Sequence, residues 1–383
     1  MISISRLLCD NVSPGDSLRY ARSENPRPVV VWNCTRGCNL SCLHCYASAR
    51  KQGVPGELTR PEAETFLRDL AEFGVPVILF SGGEPLMRPD LFDLAATAKG
   101  LGLRVALSTN GTLIDRAAAA RLKKIGFAEV GISLDGIGEA NDHFRGQKGA
   151  FEAALAGIRN STAEGLRVSL RLTITRFNYL EIPAILDLVE REKIDRVCFY
   201  HLAYSGRGES LRNNDIDHVQ TREVVDLICA RTQDFYRRGL HKEILTVGNH
   251  ADGVYLYLKT RTSDPPRAAR ILELLKINGG NNSGIKIGAV DNLGNVHPDQ
   301  FWWDQTLGNV RERKFGDIWM DTSQPLLKGL KDRKGLLKGK CANCQYLDLC
   351  NGNLRVRAEA VFQDVWAEDP ACYLSAEEVG RID

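Results

Sequence analysis

No stretch of about eighteen uncharged apolar residues occurs in the sequence, so no membrane-spanning helix is predicted. The first residues, MISISRLLCDNVSPGDS, contain no basic region followed by an apolar core, which a secretory signal requires. Charge is nearly balanced, with 50 lysines and arginines against 48 acidic residues, and no run of like charges exceeds a few residues. These features give no indication of binding to nucleic acid or to a membrane surface. We therefore expect a soluble, cytoplasmic protein without either partner.

Cysteine is abundant and unevenly distributed. The chain of 383 residues suits a barrel-sized domain followed by a smaller one, and it contains eleven cysteines. In a reducing compartment, clustered cysteines bind metal or take part in catalysis more often than they form disulfides. Seven of the eleven fall in two groups, which are Cys38, Cys42 and Cys45, and Cys341, Cys344, Cys350 and Cys372.

Apolar, β-branched segments alternate with helical segments over about 210 residues. Helix start signals support the alternation, for example the capping box of Thr59 with Glu62. Alternation of this kind predicts parallel strands with helical crossovers, in either a doubly wound sheet or a partial barrel. The predicted strands cover residues 29–33, 75–80, 103–109, 128–134, 166–175 and 196–202.

Unusual polar and glycine-rich motifs follow the ends of the first four predicted strands. The first cysteine group comes after strand one and SGGEP (81–85) after strand two, while STNG (108–111) and SLDG (133–136) end strands three and four. Parallel α/β folds place active sites at the carboxyl ends of their strands. The sequence therefore predicts one composite site.

The first cysteine group supplies three thiolates on one loop, with the spacing C-x3-C-x2-C. A fully ligated iron–sulfur cluster or a structural zinc site takes four protein ligands. Three thiolates therefore leave one metal position open for a substrate or cofactor. A zinc site completed by His44 or Cys34 is the alternative, although Cys34 ends the first strand and is equally explained as a small buried residue.

The ordered combination of C-x3-C-x2-C followed by Tyr46, then GGEP, then SLDG, resembles the radical S-adenosylmethionine enzymes. The resemblance covers roughly residues 28 to 240 and implies a partial (β/α)6 TIM-type barrel over residues 29–245. It further implies a 4Fe–4S cluster on Cys38, Cys42 and Cys45, with the unique iron chelated by S-adenosylmethionine. In that family, reductive cleavage of the cofactor gives methionine and a 5'-deoxyadenosyl radical that abstracts hydrogen from the substrate.

The same resemblance implies cofactor contacts. Arg145 is a candidate partner for the cofactor carboxylate, with a solvated surface arginine as the alternative. The implied contacts are Gly82, Gly83 and Glu84 to the methionine amino group, Ser133 and Asn110 to the carboxylate or ribose, and Tyr46 to the adenine.

The second cysteine group has four thiolates and no histidine within its run, so spacing alone permits zinc or iron–sulfur. It resembles the SPASM or twitch auxiliary-cluster domain of the same enzymes, which implies a small α+β iron–sulfur domain over residues 285–383. One auxiliary 4Fe–4S cluster is expected, because Leu354 stands where the full domain has another cysteine. Electron transfer is the expected role, with a structural role as the alternative. Residues 1–28 are a predicted N-terminal extension without a derived role, and residues 246–284 a predicted connecting segment.

Longer stretches, among them FYHLAYSGRG and HPDQFWWDQTLGNVRERKFGDIW, resemble the tetrapyrrole-modifying radical enzymes of the alternative haem and haem d1 pathways. The resemblance runs along nearly the whole chain and is greatest to the didecarboxysiroheme deacetylases. It implies removal of acetate side chains from 12,18-didecarboxysiroheme to give Fe-coproporphyrin III, with an external donor such as ferredoxin or flavodoxin. Propionate removal for haem d1 and modification of a peptide are alternatives, as is a non-catalytic electron carrier or zinc scaffold, against which the GGEP motif argues.

Several residues suit a carboxylate-rich, flat, iron-bearing substrate. Arginines pair with carboxylates, aromatic rings contact flat apolar surfaces, and neutral imidazole ligates iron. For the histidines, ordinary hydrogen bonding is the alternative. The candidates are Arg176, Arg207, Arg311, Arg355 and Arg357 for carboxylates, Tyr200, Tyr204, Trp302 and Trp303 for the macrocycle, and His201 and His297 for iron.

Overall fold

Eleven strands form one sheet in the residues that the computed structural model describes, which are 1–21 and 26–380. The predicted N-terminal extension and auxiliary domain therefore each include a few residues outside the described part. The order across the sheet is β1-β8-β7-β6-β5-β4-β3-β2-β9-β10-β11. The strands are β1 (Ile2–Ser3), β2 (Val29–Asn33), β3 (Val77–Ser81), β4 (Arg104–Thr109), β5 (Val130–Ser133), β6 (Val168–Ile174), β7 (Arg196–His201), β8 (Glu243–Val247), β9 (Ile287–Val290), β10 (Asn295–His297) and β11 (Gly308–Asn309).

Helices connect the successive parallel strands from β2 to β8, and shorter helices build the carboxyl-terminal part. None of the described helices is long and apolar enough to cross a membrane. The helices are α1 (Ile4–Cys9), α2 (Asp16–Arg19), α3 (Arg60–Phe73), α4 (Leu91–Gly100), α5 (Arg116–Ile125), α6 (Glu139–Arg145), α7 (Ala150–Ala163), α8 (Ile182–Arg191), α9 (Arg207–Ser210), α10 (His218–Arg237), α11 (Ala251–Ser263), α12 (Pro265–Asn278), α13 (Phe315–Met320), α14 (Pro325–Lys331), α15 (Leu347–Cys350), α16 (Arg355–Phe362) and α17 (Ala376–Val379).

The partial barrel predicted from the sequence is confirmed. Each of the six predicted strands is present, and all pair in parallel with their neighbours from β2 to β7. The predicted capping box is also present, since the amide of Thr59 donates to the carboxylate of Glu62 over 2.8 Å. A seventh parallel strand, β8, continues the sheet beside β7 and ends at Val247, two residues past the predicted domain boundary.

The predicted connecting segment is more regular than expected, because it contains helices α11 and α12. Asp264 caps the second of these helices and Pro265 occupies its first position, a combination that starts helices. The hairpin predicted after this segment is present as the antiparallel pair β9 and β10. Strand β9 also pairs in parallel with β2, so the carboxyl-terminal part extends the edge of the barrel sheet. The division into domains stays a prediction.

Alternate residues of each barrel strand face either the helices or the barrel interior. In β4, Val105 and Leu107 are fully buried in the core that the helices cover. Arg104 and Ala106 instead line a cavity inside the barrel, and Ser108 lines a second cavity near the carboxyl ends of the strands. The barrel interior is therefore open space.

Buried ion pairs join the amino-terminal segment to the base of the barrel. The carboxylate of Glu243 accepts hydrogen bonds from the guanidinium of Arg19, from Arg167 over 2.5 Å and from the hydroxyl of Ser13 over 2.7 Å. Burial alone would raise the pKa of Glu243, but the guanidinium groups of Arg196 and Arg19 hold it below its ordinary value.

We predict that Glu243→Gln lowers the free energy of unfolding by about 3 kcal/mol at pH 7, because it leaves buried guanidinium groups without their partner. A lowered pKa stabilises the fold above the ordinary pKa of glutamate and loses that contribution as pH falls. The deficit of the variant should therefore shrink below about pH 4.5. Anaerobic urea denaturation at several pH values measures the free energy of unfolding of variant and wild type. The exposed substitution Glu223→Gln is the control. Equal stability of variant and wild type at pH 7 would refute the prediction.

Candidate active site

The first cysteine group lies on a loop that leaves β2 and is held against the turn that follows β3. The amide of Gly83 donates to the carbonyl of Thr35 over 2.7 Å, and the amide of Glu84 donates to the carbonyl of Gly37 over 2.7 Å. A Cβ atom at Gly83 would lie 2.2 Å from the carbonyl oxygen of Gly37, which no real contact tolerates. Glycine in the GGEP motif therefore permits the close approach of the cysteine loop.

Cys38, Cys42 and Cys45 line one side of a cavity of about 140 Å³. Cys38 accepts hydrogen bonds from the amide of Leu40 (3.4 Å) and the side-chain amide of Asn110 (3.9 Å). Cys42 accepts one from the guanidinium of Arg145 (3.7 Å), and Cys45 accepts one from the amide of Ala49 (3.4 Å). Burial raises the pKa of the free Cys38 thiol to about 12. The thiolate form therefore needs a compensating cation such as a metal cluster, and hydrogen bonds of this kind tune iron–sulfur sites.

The zinc alternative finds no support in the placement of its proposed fourth ligands. Cys34 is fully buried in the core beneath the loop, and burial raises its thiol pKa to about 12. His44 stacks on the ring of Phe144 and directs Nε2 toward the carboxylate of Asp135 at 3.5 Å. In residues 1–21 and 26–380, no three His, Cys, Asp or Glu side chains are placed to hold a metal ion. A four-iron cluster needs more widely spaced thiolates than zinc, which binds sulfur at about 2.3 Å.

Most of the predicted cofactor contacts face the same cavity. They are Tyr46, Gly82, Gly83, Asn110, Ser133 and Arg145. Glu84 is the exception, because it is fully buried beneath the cavity wall and accepts hydrogen bonds from the hydroxyl of Thr109 and the amide of Asn110, both over 2.7 Å. In this structure the Glu84 carboxylate joins the ends of β3 and β4, and burial raises its pKa.

Arg145 belongs to a buried charge network, which excludes the alternative of a solvated surface arginine. Its guanidinium pairs with the carboxylate of Asp135 at 2.5 Å and donates to the sulfur of Cys42. Asp135 is itself held in place by the amide of Thr173, which donates over 2.7 Å. The positive charge of Arg145 therefore lies directly against one cluster-ligand candidate.

Residues from distant parts of the chain complete the cavity. The hydroxyl of Tyr46 donates to Asn33 over 3.0 Å, and its ring meets the ring of Phe301 edge-on at 5.3 Å. Phe301 and Gln300 lie between β10 and β11, so the carboxyl-terminal part closes the cavity. Gln300, Phe301 and Arg171 are not predicted as site residues from the sequence, although the first two lie in the stretch HPDQFWW that carries the resemblance.

The four thiols of the second cysteine group come together. Burial raises the pKa of Cys350, and the neighbouring Cys372, Cys341 and Cys344 raise it further. Burial raises the pKa of all four thiols, and a backbone amide near each sulfur opposes part of that rise. The amides belong to Asp369 for Cys341, Tyr346 for Cys344, Gly352 for Cys350 and Leu374 for Cys372.

Two of the predicted substrate residues face the cavity, and one of them has a structural partner. Tyr200 lines it directly. Arg207 also lines it, but its guanidinium donates to the carbonyls of Cys42 and Ala49, both over 2.8 Å. Arg207 therefore fixes the cysteine loop.

Arg355 and Arg357 are corrected from substrate contacts to internal structural residues. Both are fully buried. Arg357 pairs with Asp369 at 2.7 Å and donates to the carbonyls of Leu202 and Gly248, whereas Arg355 donates to backbone carbonyls of its own module. All three nitrogens of the Arg357 guanidinium are engaged within the protein. Arg355 Nε is buried without a partner among the described residues, but Arg355 does not line the cavity.

The other substrate candidates lie outside the cavity and have partners within the protein. His201 contacts Asp252 at 2.9 Å and His297 contacts the carbonyl of Gln305 at 2.8 Å, so each is an ordinary hydrogen-bonded histidine here. The remaining partners are Asp215 for Tyr204, Glu359 for Trp302, the carbonyl of Gln300 for Trp303, Asp217 for Arg176 and Glu62 for Arg311.

Comparison with known proteins agrees with this geometry. The profile of the Radical SAM superfamily matches residues 32–189. The chain is 54% identical to "Fe-coproporphyrin III synthase" of Methanosarcina barkeri, covering 99% of each chain. This chain belongs to the radical SAM superfamily. It is also 45% identical to "Pre-heme d1 synthase" of Dinoroseobacter shibae, covering 94% of this chain and 90% of the relative.

The radical SAM fold is also evident from a solved structure. The structure of Streptococcus suis SuiB bound to S-adenosylmethionine superposes with a TM-score of 0.72 at 20% identity, covering 91% of this chain and 78% of SuiB. At this identity the likeness concerns the fold alone. The chain is a radical SAM enzyme, and its family implies a 4Fe–4S cluster and S-adenosylmethionine, as the sequence predicted.

We predict that Cys38→Ala loses the first cluster, whereas Cys34→Ala keeps it. Cys38 faces the cavity among the other two thiols, but Cys34 only fills space in the core. Iron and sulfide content of the reconstituted proteins, with Mössbauer spectra of the first cluster, measures the difference. Loss of the same cluster in both variants would show that the ligand set is misassigned.

We predict that Arg145→Gln makes the reduction potential of the first cluster more negative, because a buried positive charge beside Cys42 favours the reduced state. Cleavage of S-adenosylmethionine should fall by about 10- to 100-fold, as is usual when a residue next to a metal ligand is lost. Potentiometric titration followed by electron paramagnetic resonance measures the potential. The exposed Arg116→Gln is the control, and an unchanged potential in Arg145→Gln would contradict the prediction.

Proposed function

We propose that this radical SAM enzyme removes acetate side chains from 12,18-didecarboxysiroheme to give Fe-coproporphyrin III. The observation that carries the proposal is its similarity, over essentially the whole of both chains, to a synthase named for that product. Identity to the pre-heme d1 relative is lower. A cavity next to three thiols, open toward the barrel interior, supports the same activity.

The cavity residues have defined tasks in this proposal. Cys38, Cys42 and Cys45 hold the cluster, which together with S-adenosylmethionine supplies a hydrogen-abstracting radical. Ser133 and Asn110 orient the cofactor from the ends of β5 and β4. The rings of Tyr46 and Phe301 cover one side of the cavity and exclude water there.

We further propose that Cys341, Cys344, Cys350 and Cys372 hold a second 4Fe–4S cluster, which passes electrons from an external ferredoxin or flavodoxin. The convergence of four thiols, each with a nearby amide, supports full ligation by the protein. All eleven cysteines lie in the described part of the chain, and none of them forms a disulfide there.

The test is anaerobic incubation of reconstituted protein with S-adenosylmethionine, dithionite and 12,18-didecarboxysiroheme. We expect 5'-deoxyadenosine together with Fe-coproporphyrin III, identified by liquid chromatography and mass spectrometry. The Cys38→Ala protein should give neither, and the Cys34→Ala protein both. Formation of 5'-deoxyadenosine without any change in the mass of the macrocycle would refute the proposed substrate.

Propionate removal for haem d1 is the second candidate, because the chain is 45% identical to the pre-heme d1 relative. The two activities differ in which side chain of the macrocycle lies in van der Waals contact with the radical carbon. Product mass separates them, since an acetate and a propionate differ by one methylene group. Loss of propionate arms from the same macrocycle would favour this second candidate.

A further inference from the structure

A second cavity of about 300 Å³ runs through the interior of the barrel below the active-site cavity. The two cavities share wall residues, including Leu79, Arg171, Tyr200 and Phe301. The two cavities therefore adjoin inside the barrel, between the three thiols and the amino ends of the strands. Its volume falls at the lower end of the range for small-molecule sites, about 300–1,000 Å³, before the upper cavity is added.

Small apolar side chains form the walls of this inner cavity. Val29 and Val31 face it from β2, Val77 from β3 and Ala106 from β4. Such residues leave room between the strands where bulkier side chains would fill the barrel. The walls therefore suit a flat apolar body.

The floor of the inner cavity is strongly basic. Six arginine and lysine side chains line the inner cavity as a whole, against two carboxylates, Glu129 and Asp299. Some of this charge is internally paired, since Arg19 and Arg167 bind Glu243, and Arg196 binds Glu129 at 2.6 Å. A narrow cavity with excess positive charge concentrates anions.

Arg104 and Lys286 are the cations of this floor that have no side-chain hydrogen bond or ion pair with any described residue. Burial without a nearby acid lowers the pKa of Lys286, which marks an uncompensated cation. Both side chains are partly exposed, so their charges remain available to an anionic ligand in the cavity.

The two cations lie at the same level of the barrel but apart from each other. Arg104 pairs with Val77 on β3, and Lys286 immediately precedes Ile287, which pairs with Val29 on β2. Three strand spacings of about 4.8 Å place their backbones roughly 14 Å apart along the sheet. Ser108, which lines the upper cavity, is four residues along β4 from Arg104, about 13 Å at 3.3 Å per residue.

We infer that Arg104 and Lys286 bind peripheral carboxylates of the tetrapyrrole in the barrel interior, an assignment that rests on the proposed function. The macrocycle then stands between the apolar walls with its reacting edge toward the three thiols. The carboxylates that are not removed reach the floor. Two separated cations bind two different carboxylate side chains of a rigid ring. This pairing determines which edge of the macrocycle faces the active-site cavity.

Binding is measured by anaerobic absorbance titration of the reconstituted holoenzyme with Fe-coproporphyrin III, without reductant. Arg104→Gln and Lys286→Met should each weaken the affinity about tenfold or more, because each removes a charged hydrogen bond. Arg104→Lys and Lys286→Arg should retain most of it. The exposed substitutions Arg116→Gln and Lys124→Met are matched controls and should leave the affinity unchanged.

Two further measurements separate this role from a general loss of structure. Cleavage of S-adenosylmethionine without substrate should equal that of wild type in all of these variants, because the floor lies far from the thiols. Coproporphyrin III tetramethyl ester, which has no free carboxylate, should bind wild type and variants equally. Unchanged affinity of both Arg104→Gln and Lys286→Met for Fe-coproporphyrin III would overturn the inference and leave the proposed function standing. Failure of wild type to bind the macrocycle would overturn both.

Discussion

The close approach of the cysteine loop to the end of β3 is the contact on which the active site depends. A Cβ atom at Gly82 would lie 2.4 Å from the carbonyl oxygen of Thr35, so only glycine allows this packing. The backbone hydrogen bonds made in return contribute about 1 kcal/mol each and fix the height of the three thiols above the sheet. Every other group of the cavity is placed relative to that loop.

The barrel interior is arranged as a binding space. Closed eight-stranded barrels are ordinarily filled by layers of branched side chains. Here Gly131 on β5 leaves room for the guanidinium of Arg171, because a Cβ atom at that glycine would lie 2.3 Å from Arg171 Nε. Arg171 therefore lines both the cavity at the thiols and the inner cavity below it.

Much of the fold and of the upper site could be predicted because it is encoded locally. Strand periodicity, capping boxes and the spacing of Cys38, Cys42 and Cys45 are properties of short segments. The seventh parallel strand, Gln300, Phe301 and Arg171 could not be predicted in this way. Their place depends on which strands become neighbours, and the sequence near them shows no motif for it.

The arginines show most clearly which features of the site the sequence alone could not predict. Arg357 is a plausible substrate contact by its sequence, yet Asp369 and the carbonyls of Leu202 and Gly248, just after β7 and β8, engage all three nitrogens of its guanidinium. Arg104 resembles any other strand residue in the sequence, yet it lines the cavity with no side-chain partner in residues 1–21 and 26–380. Whether a guanidinium serves structure or ligand depends on the acceptors that the fold brings to it. Because Arg357 joins the carboxyl-terminal module to the barrel strands, it also sets the position of the second thiol group relative to the first.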